Sequence, residues 1–124
     1  MMNWDDYPNF TEAEFTCSHS GKCDMEPAFM AKLQKLRDHY GKGMTVTSGY
    51  RDITHPIEAA KDKPGIHTMG LAVDIACNGQ DAYHLLGLAL NMGFTGIGVA
   101  QSGRNRFLHL DIYTKPPRSN VWSY

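Results

Sequence analysis

Two blocks of histidine and aspartate, far apart in the chain, constrain the fold more than any other feature of this sequence. The first block runs from His67 to Asp74, and the second is the segment Phe-Leu-His-Leu-Asp that contains His109. Two imidazoles and one carboxylate form a ligand set that leaves a fourth tetrahedral position on zinc open for water, as in catalytic sites. We therefore predict a fold that brings His67, Asp74 and His109 together around one Zn²⁺ ion.

The spacing within each block allows its polar side chains to reach one point. Gly70 leaves room for the chain to turn between His67 and a predicted strand that carries Asp74. His109 and Asp111 are two residues apart on another predicted strand, so their side chains share one face of the sheet. Asp111 is then placed either to orient a neighbouring ligand or to take a proton from zinc-bound water. The alternative is coincidence, because a lone histidine is more often a surface or hydrogen-bonded residue and the chain has six.

Composition limits the number of domains and the kinds of partner. A chain of 124 residues is large enough for one core and too short for two, so we expect a single domain over residues 1–124. The 12 basic and 13 acidic residues give a formal charge of −1, and no run of Lys or Arg is present. This balance argues against nucleic-acid and membrane partners. A monomer is the expected state.

The N-terminal sequence and the number of cysteines indicate the cellular compartment in which the protein is made. The first residues are polar or acidic and no long apolar run follows, so we predict cytoplasmic synthesis without a signal peptide. Action at a cell wall would then require release from the cell. Three cysteines exclude a full disulfide framework and favour a reducing compartment, although a bridge between Cys17 and Cys23 stays open.

The apolar pattern predicts an α+β fold with a small, largely antiparallel sheet and two main helices. The helices are expected over about residues 26–40 and 82–92. The strands are expected over residues 44–47, 71–76, 96–100 and 106–113. Residues 51–65 contain two prolines and a polar run, which predicts a loop with at most one short helix.

The order and spacing of three motifs closely resemble a known enzyme family. These motifs are Ser-Gly-Tyr-Arg ending at Arg51, His-x-x-Gly-x-Ala-x-Asp from His67 to Asp74, and Phe-x-His-x-Asp ending at Asp111. The chain resembles the zinc D-Ala-D-Ala carboxypeptidases, which include vancomycin-resistance dipeptidases and phage L-alanyl-D-glutamate endolysins and share the Hedgehog/DD-peptidase fold. The resemblance covers most of the chain, and compact phage and bacterial members match best. It implies a zinc-dependent carboxypeptidase or endopeptidase acting on peptidoglycan stem peptides, as in a phage lysis enzyme.

The resemblance also assigns roles to individual residues. His67, Asp74 and His109 match the three zinc ligands of the family. Arg51 matches an arginine that lies beside the metal and stabilises the carbonyl or carboxylate of the substrate. A guanidinium suits that role because it is always charged and presents a planar fork of donors. The alternative for Arg51 is a solvated charge on a loop.

Two positions depart from the pattern of the family. Gly65 stands where many members have serine, so we expect one local hydrogen bond to be lost. Arg106 stands three residues before the last ligand, where the best-known members have a catalytic Asp or Glu, and arginine cannot act as a base at neutral pH. We therefore predict Asp111 as the catalytic base. Glu58 and His55 are weaker candidates, and we expect surface positions for both.

Arg106 supports a second hypothesis. A chain that keeps the zinc ligands without the usual base would be a non-catalytic zinc-containing module that binds peptidoglycan or a protein. Retention of Arg51 with all three ligands favours the enzyme, since a binding module needs no open zinc position. A separation of more than about 5 Å between Asp111 and the zinc water would favour the binding module. Three aromatic residues are expected to line the cleft or to pack in the core, packing being favoured for the last: Tyr50, Tyr113 and Trp122.

Overall fold

The computed structural model describes residues 2–124, which form four α-helices and one five-stranded sheet. The helices are α1 (Glu12–Phe15), α2 (Pro27–Tyr40), α3 (Pro56–Ala59) and α4 (Gly79–Asn91). The strands are β1 (Thr45–Ser48), β2 (Ala72–Ala76), β3 (Gly96–Ala100), β4 (Phe107–Asp111) and β5 (Asn120–Ser123). Single 3-10 turns lie at Trp4–Asp6 and Ile66–Met69.

The two long helices confirm the predicted positions. Helix α2 starts with Pro27, whose missing N–H is not needed in the first turn, and ends where Gly41 adopts the left-handed conformation. Its buried side chains include Phe29, Leu33 and Leu36, which recur at three- and four-residue spacing. Helix α4 begins three residues earlier than predicted. The short α3 is the one helix turn expected in the loop after Arg51.

The sheet has the strand order β1-β2-β4-β3-β5. All neighbouring pairs are antiparallel except β3 and β5, which are parallel. The prediction of an α+β fold with a largely antiparallel sheet is therefore confirmed. Strand β5 is an addition that the sequence did not predict, and it forms one edge of the sheet.

The two faces of the sheet differ in chemistry because successive side chains point to opposite sides. One face belongs to the same hydrophobic core as α2 and α4, and its members are at most 1% exposed: Val73, Ile75, Ile97, Leu108 and Leu110. The other face, called here the open face, carries Asp74, His109 and Asp111. The pleat thus separates a packed apolar layer from a layer of polar side chains.

Glycines on β3 make room for the polar layer. A Cβ atom at Gly96 would overlap the carboxylate of Asp111, and one at Gly98 would lie 2.6 Å from Nε1 of Trp122. Only a residue without a side chain fits either position without displacing its neighbour. The sequence Gly-Ile-Gly in β3 therefore shapes the open face.

Two further features concern the described residues 2–124. None of their helices is both long and apolar enough to cross a bilayer. Cys17, Cys23 and Cys77 are free thiols, so the bridge left open between the first two does not form in this structure.

Candidate metal centre

His67, Asp74 and His109 meet on the open face. Asp74 on β2 and His109 on β4 are direct partners in the antiparallel ladder. His67 lies in the 3-10 turn that precedes β2, and Gly70 ends this turn in the left-handed conformation. Oδ1 of Asp74 lies 3.3 Å from Nε2 of His67 and 3.1 Å from Nδ1 of His109. The turn and the strand register together produce the predicted convergence.

This arrangement fits a zinc ion. One ligand atom from each of the three residues lies within 4.8 Å of the others, and all three residues are buried. Tetrahedral zinc with bonds of about 2.0–2.1 Å holds neighbouring ligand atoms roughly 3.3 Å apart. The two nitrogen-to-oxygen separations in the cluster are close to that value. Nitrogen and carboxylate donors are also the ligand types that zinc accepts.

Hydrogen bonds at the far side of each imidazole leave the near nitrogen free for a metal. Nδ1 of His67 lies 2.9 Å from the carbonyl oxygen of Gly49, to which an Nδ1–H donates. Nε2 of His109 lies 2.7 Å from Oδ2 of Asp111, which accepts in the same way. With these tautomers, the lone pairs of both histidines point toward Asp74. Such partners orient ligands and raise their basicity in metal sites.

The electrostatics keep Asp74 ionised. When no metal is bound, burial by itself would raise the pKa of this carboxyl, but hydrogen bonds and positive charge from protonated His109 and His67 lower it to about 2. A ligating carboxylate must be deprotonated. Asp74 is therefore in the state that a metal requires at any pH near neutrality.

Asp111 lies behind His109 and is 0% exposed. Its Oδ2 accepts from Nη2 of Arg118 at 2.9 Å, and its Oδ1 accepts from the backbone N–H of Tyr113 at 3.1 Å. Burial raises the pKa of Asp111, yet the hydrogen bonds from His109 and Arg118 outweigh burial and hold it below the usual value. The imidazole of His109 stands between Asp111 and Asp74.

Arg118 is a functional candidate that the sequence analysis missed. Its guanidinium carbon lies 5.0 Å from the ring centre of Trp122, whose own ring centre is 5.1 Å from that of His109. The sequence did hold a signal for such a residue. Asp111 is predicted to share a strand face with the ligand His109, and a carboxylate buried there would need a positively charged partner. Lys115 and Arg118 are the only basic residues that follow Asp111 in the sequence.

Arg51 lies at the edge of the cluster, with Nη2 3.9 Å from Oδ2 of Asp74. The same nitrogen donates to Oγ of Ser48 at 2.9 Å, while Nη1 donates to Oε2 of Glu58 at 2.9 Å. The side chain of Arg51 is only 15% exposed, so it is not a solvated loop charge. These partners fix the guanidinium beside the cluster.

The expected surface position of Glu58 is wrong, because its side chain is 0% exposed. Its Oε1 accepts from the backbone N–H of Gly65 at 2.7 Å, and Lys61 and Arg51 donate to Oε2. Burial raises the pKa of Glu58, but these hydrogen bonds more than reverse the effect and lower it to about 2. His55 is partly exposed and caps α3 by accepting from the N–H of Ile57.

Gly65 and Glu58 are structurally coupled. A Cβ atom at Gly65 would lie 2.9 Å from Nζ of Lys61 and 3.1 Å from Oε1 of Glu58. The carboxylate of Glu58 therefore occupies the space that a serine side chain at position 65 would need. The hydrogen bond from the N–H of Gly65 to Glu58 links the backbone before His67 to the group that holds Arg51.

A cleft of about 410 Å³ opens above the cluster. Besides the cluster residues, its lining includes three basic and three aromatic side chains: Arg51, Lys61, Arg118, Phe107, Trp122 and Tyr124. Trp122 is half-buried and faces this cleft as well as packing on His109. Tyr50 and Tyr113 are not among the lining residues. A group with negative charge would meet positive side chains on several sides of this cleft.

A known protein family matches most of the chain. Residues 8–111 match the family model described as Peptidase M15. The matched range includes every residue of the candidate metal cluster as well as Arg51 and Asp111, and it ends before Arg118 and β5. No curated protein matches the chain.

Proposed function

The chain belongs to the Peptidase M15 family, and from that premise we propose that it is a zinc metallopeptidase that hydrolyses peptide bonds in peptidoglycan stem peptides. His67, Asp74 and His109 are the proposed ligands of one zinc ion. The observation that carries the proposal is the pair of imidazole nitrogens 3.1 and 3.3 Å from one carboxylate oxygen. A zinc ion bound there would supply Lewis acidity for the scissile carbonyl and lower the pKa of water to about 7.

Arg51 is proposed to bind the negative charge of the substrate. The oxygen of an amide under attack becomes an oxyanion, and a stem peptide can also end in a carboxylate. A guanidinium held at its edge by Ser48 and Glu58 needs no rearrangement to meet either group. Glu58 acts through Arg51 in this proposal and does not contact the substrate.

Of the two roles left open for Asp111, its contacts support the orienting role. The carboxylate accepts hydrogen bonds from His109, Arg118 and the N–H of Tyr113, and it lies on the side of His109 that faces away from Asp74. An acceptor for the proton of water has to come within about 2.6–3.2 Å of it, directly or through one water. We propose that Asp111 fixes the tautomer and ring position of His109, and that its role as the base is secondary.

The position of Asp111 also favours one alternative function. With Arg106 in place of the usual acid and Asp111 enclosed by its partners, the chain would bind stem peptides or a protein partner through a zinc-containing fold without cleaving them. The largely enclosed, fixed Arg51 beside the cluster argues for catalysis, because a binding module does not need it there. The enzyme is therefore the first proposal, and the resemblance to compact phage members supports a lysis role.

The decisive experiment follows cleavage of defined peptidoglycan fragments by mass spectrometry. The zinc-free protein and the protein loaded with one equivalent of zinc are each incubated with fragments that contain D-Ala-D-Ala, L-Ala-D-Glu and cross-linked bonds. His67→Ala is the test variant, and His84→Ala, an exposed histidine on α4, is the matched control. Zinc-dependent cleavage that His67→Ala loses and His84→Ala keeps would support the peptidase, and the product mass would identify the bond. Stoichiometric zinc binding without cleavage of any fragment would favour the binding module.

A further inference from the structure

A second cavity, at the end of the sheet, is larger than the cleft above the cluster. Its volume is about 690 Å³, and it lies beyond the ends of β2 and β4, next to Ala76 and Phe107. The remaining walls come from the end of α2, the start of α4 and the loop before β4. Phe107 lines this cavity and the cleft above His109, so the two spaces are neighbours.

The strand register gives the separation between the cavity and the metal cluster. Asp74 is paired with His109, and Ala76 is paired with Phe107 two residues further along the same face. Two residues of strand span about 7 Å. An extended peptide also rises by about 3.4 Å per residue. A substrate residue about two positions from the cleaved bond would therefore reach this cavity.

The charged side chains of the cavity are mostly basic. Lys42, Arg104 and Arg106 line it together with a single acid, Asp81. Lys42 and Asp81 form an ion pair with each other. Within residues 2–124 neither arginine has a carboxylate partner, and Nε of Arg106 donates to the carbonyl oxygen of Gly103 at 3.0 Å. Two guanidinium groups therefore remain available to a ligand.

We propose that this cavity, the Arg104–Arg106 subsite, binds a carboxylate-bearing residue of the peptide substrate about two positions from the cleaved bond. The inference rests on the proposed peptidase function and specifies its substrate. It also gives Arg106 a role: the residue that stands in place of the usual acid binds the substrate and takes no part in proton transfer. A pair of guanidinium groups is suited to a carboxylate because each presents donors in a planar fork.

The surroundings favour one carboxylate over a polyanion. A phosphodiester polymer is bound by basic residues spread along a surface, and its affinity rests on many phosphate contacts. Here the chain has a formal charge of −1, and the two available arginines share the cavity with Asp81. Tyr40 and Phe107 supply apolar surface for the body of a side chain.

The test uses pairs of synthetic stem peptides. Within a pair, one peptide carries a carboxylate two residues from the cleaved bond and the other carries a carboxamide at the same position. One pair is made for each side of the bond. The zinc-loaded wild type is compared with the double variant R104Q/R106Q. The control is K35Q/K115Q, which removes the same charge from exposed lysines outside the cavity. A binding arm measures the affinity of the same peptides, and of a phosphodiester polymer, for the His67→Ala protein with and without R104Q/R106Q.

We expect wild type to prefer the carboxylate peptide by about tenfold in kcat/KM, through KM, because charge-assisted hydrogen bonds are about twice as strong as neutral ones. R104Q/R106Q should lose that preference while keeping kcat, and K35Q/K115Q should retain it. The subsite is overturned if the preference survives in R104Q/R106Q, or if wild type does not distinguish the carboxylate peptide from the carboxamide peptide. It is also overturned if the protein binds a phosphodiester polymer more tightly than the carboxylate peptide. If no protein cleaves either peptide but the binding preference depends on the arginines, the subsite stands and the peptidase function fails.

Discussion

Asp111 on β4 and Arg118 before β5 form a buried ion pair behind His109, with 2.9 Å between Oδ2 and Nη2. The side chain of Asp111 has no exposed surface, and that of Arg118 is 12% exposed. Removing one partner of a buried pair leaves an uncompensated charge, which costs far more than the net contribution of the pair. The geometry of His109 thus depends on a residue outside the matched range of the family.

Replacing Arg118 by methionine is expected to lower both stability and metal affinity. The uncompensated Asp111 should reduce the free energy of unfolding by about 3–5 kcal/mol. A less well oriented His109 should weaken zinc binding by roughly 10–100-fold. Urea unfolding of the zinc-free protein and competition with a chelating dye measure these two effects. Lys115→Met, an exposed neighbour, is the control. Wild-type stability and zinc affinity in Arg118→Met would contradict the role of the pair.

Asp111→Asn separates the orienting role from the role of a base. The amide oxygen still accepts from Nε2 of His109 but carries no charge, so we expect zinc affinity to fall by about tenfold or more. At saturating zinc, most of kcat should return. If Asp111 is the base, kcat should instead fall by roughly 10²–10⁴-fold at every zinc concentration. The exposed Asp62→Asn serves as the control for a lost surface charge.

Each half of the cluster could be predicted from the sequence because the spacing within each half is local. His67 and Asp74 are seven residues apart, and the alternation in β4 places His109 and Asp111 on one face without knowledge of the rest of the fold. The apolar spacing of α2 and α4 is equally local. These patterns require only the periods of helix and strand, and the structure confirms the elements that they predict.

The missed features depend on contacts between distant segments. Strand β5 is four residues long and pairs in parallel with β3, so its own sequence has too little alternation to predict it. Glu58 lies in the loop over residues 51–65, where the two prolines and the polar run at residues 61–63 are typical of a surface segment. It is buried because Arg51, Lys61 and Gly65 surround its carboxylate in the folded chain. Propensity and composition carry no signal for such partners.

Gly96→Ala should disturb the candidate centre without touching a ligand. The added Cβ would overlap the carboxylate of Asp111, which is held by backbone, His109 and Arg118 and has no space to move. We expect a loss of about 1–3 kcal/mol in unfolding free energy, as for other overpacked cores. Zinc affinity should fall with it, because the shift reaches His109.

The matched control for this change is Gly87→Ala in α4, where an added Cβ meets no atom within 4 Å. Alanine in a helix interior is favoured over glycine, so this variant should gain about 0.5–1 kcal/mol. Thermal unfolding of both zinc-free proteins measures the contrast. Equal stability changes at the two positions would show that Gly96 is not required for the packing of Asp111.

The buried carboxylate of Glu58 is expected to make the stability of the chain depend on pH. Its pKa falls from an ordinary value of 4.5 to about 2 in the folded chain, since the hydrogen bonds from Gly65, Arg51 and Lys61 outweigh the effect of burial. A lowered folded-state pKa means that the unfolded chain takes up the proton first as the pH falls. The stabilisation by Glu58 is therefore complete above about pH 4.5 and is lost as the pH falls toward 2.

The difference in unfolding free energy between wild type and Glu58→Gln isolates this contribution from those of the other acids. A shift from 4.5 to about 2 corresponds to roughly 3 kcal/mol. In zinc-free protein we expect the difference to be largest at pH 6 and to shrink by most of that amount between pH 4.5 and 2, as measured by urea unfolding. Glu12→Gln, an exposed carboxylate on α1, controls for the lost surface charge. If the unfolding free energy of wild type exceeds that of Glu58→Gln by the same amount at pH 4.5 and at pH 2, the proton affinity of Glu58 does not change on folding. Its interaction with Arg51 would then not be electrostatic.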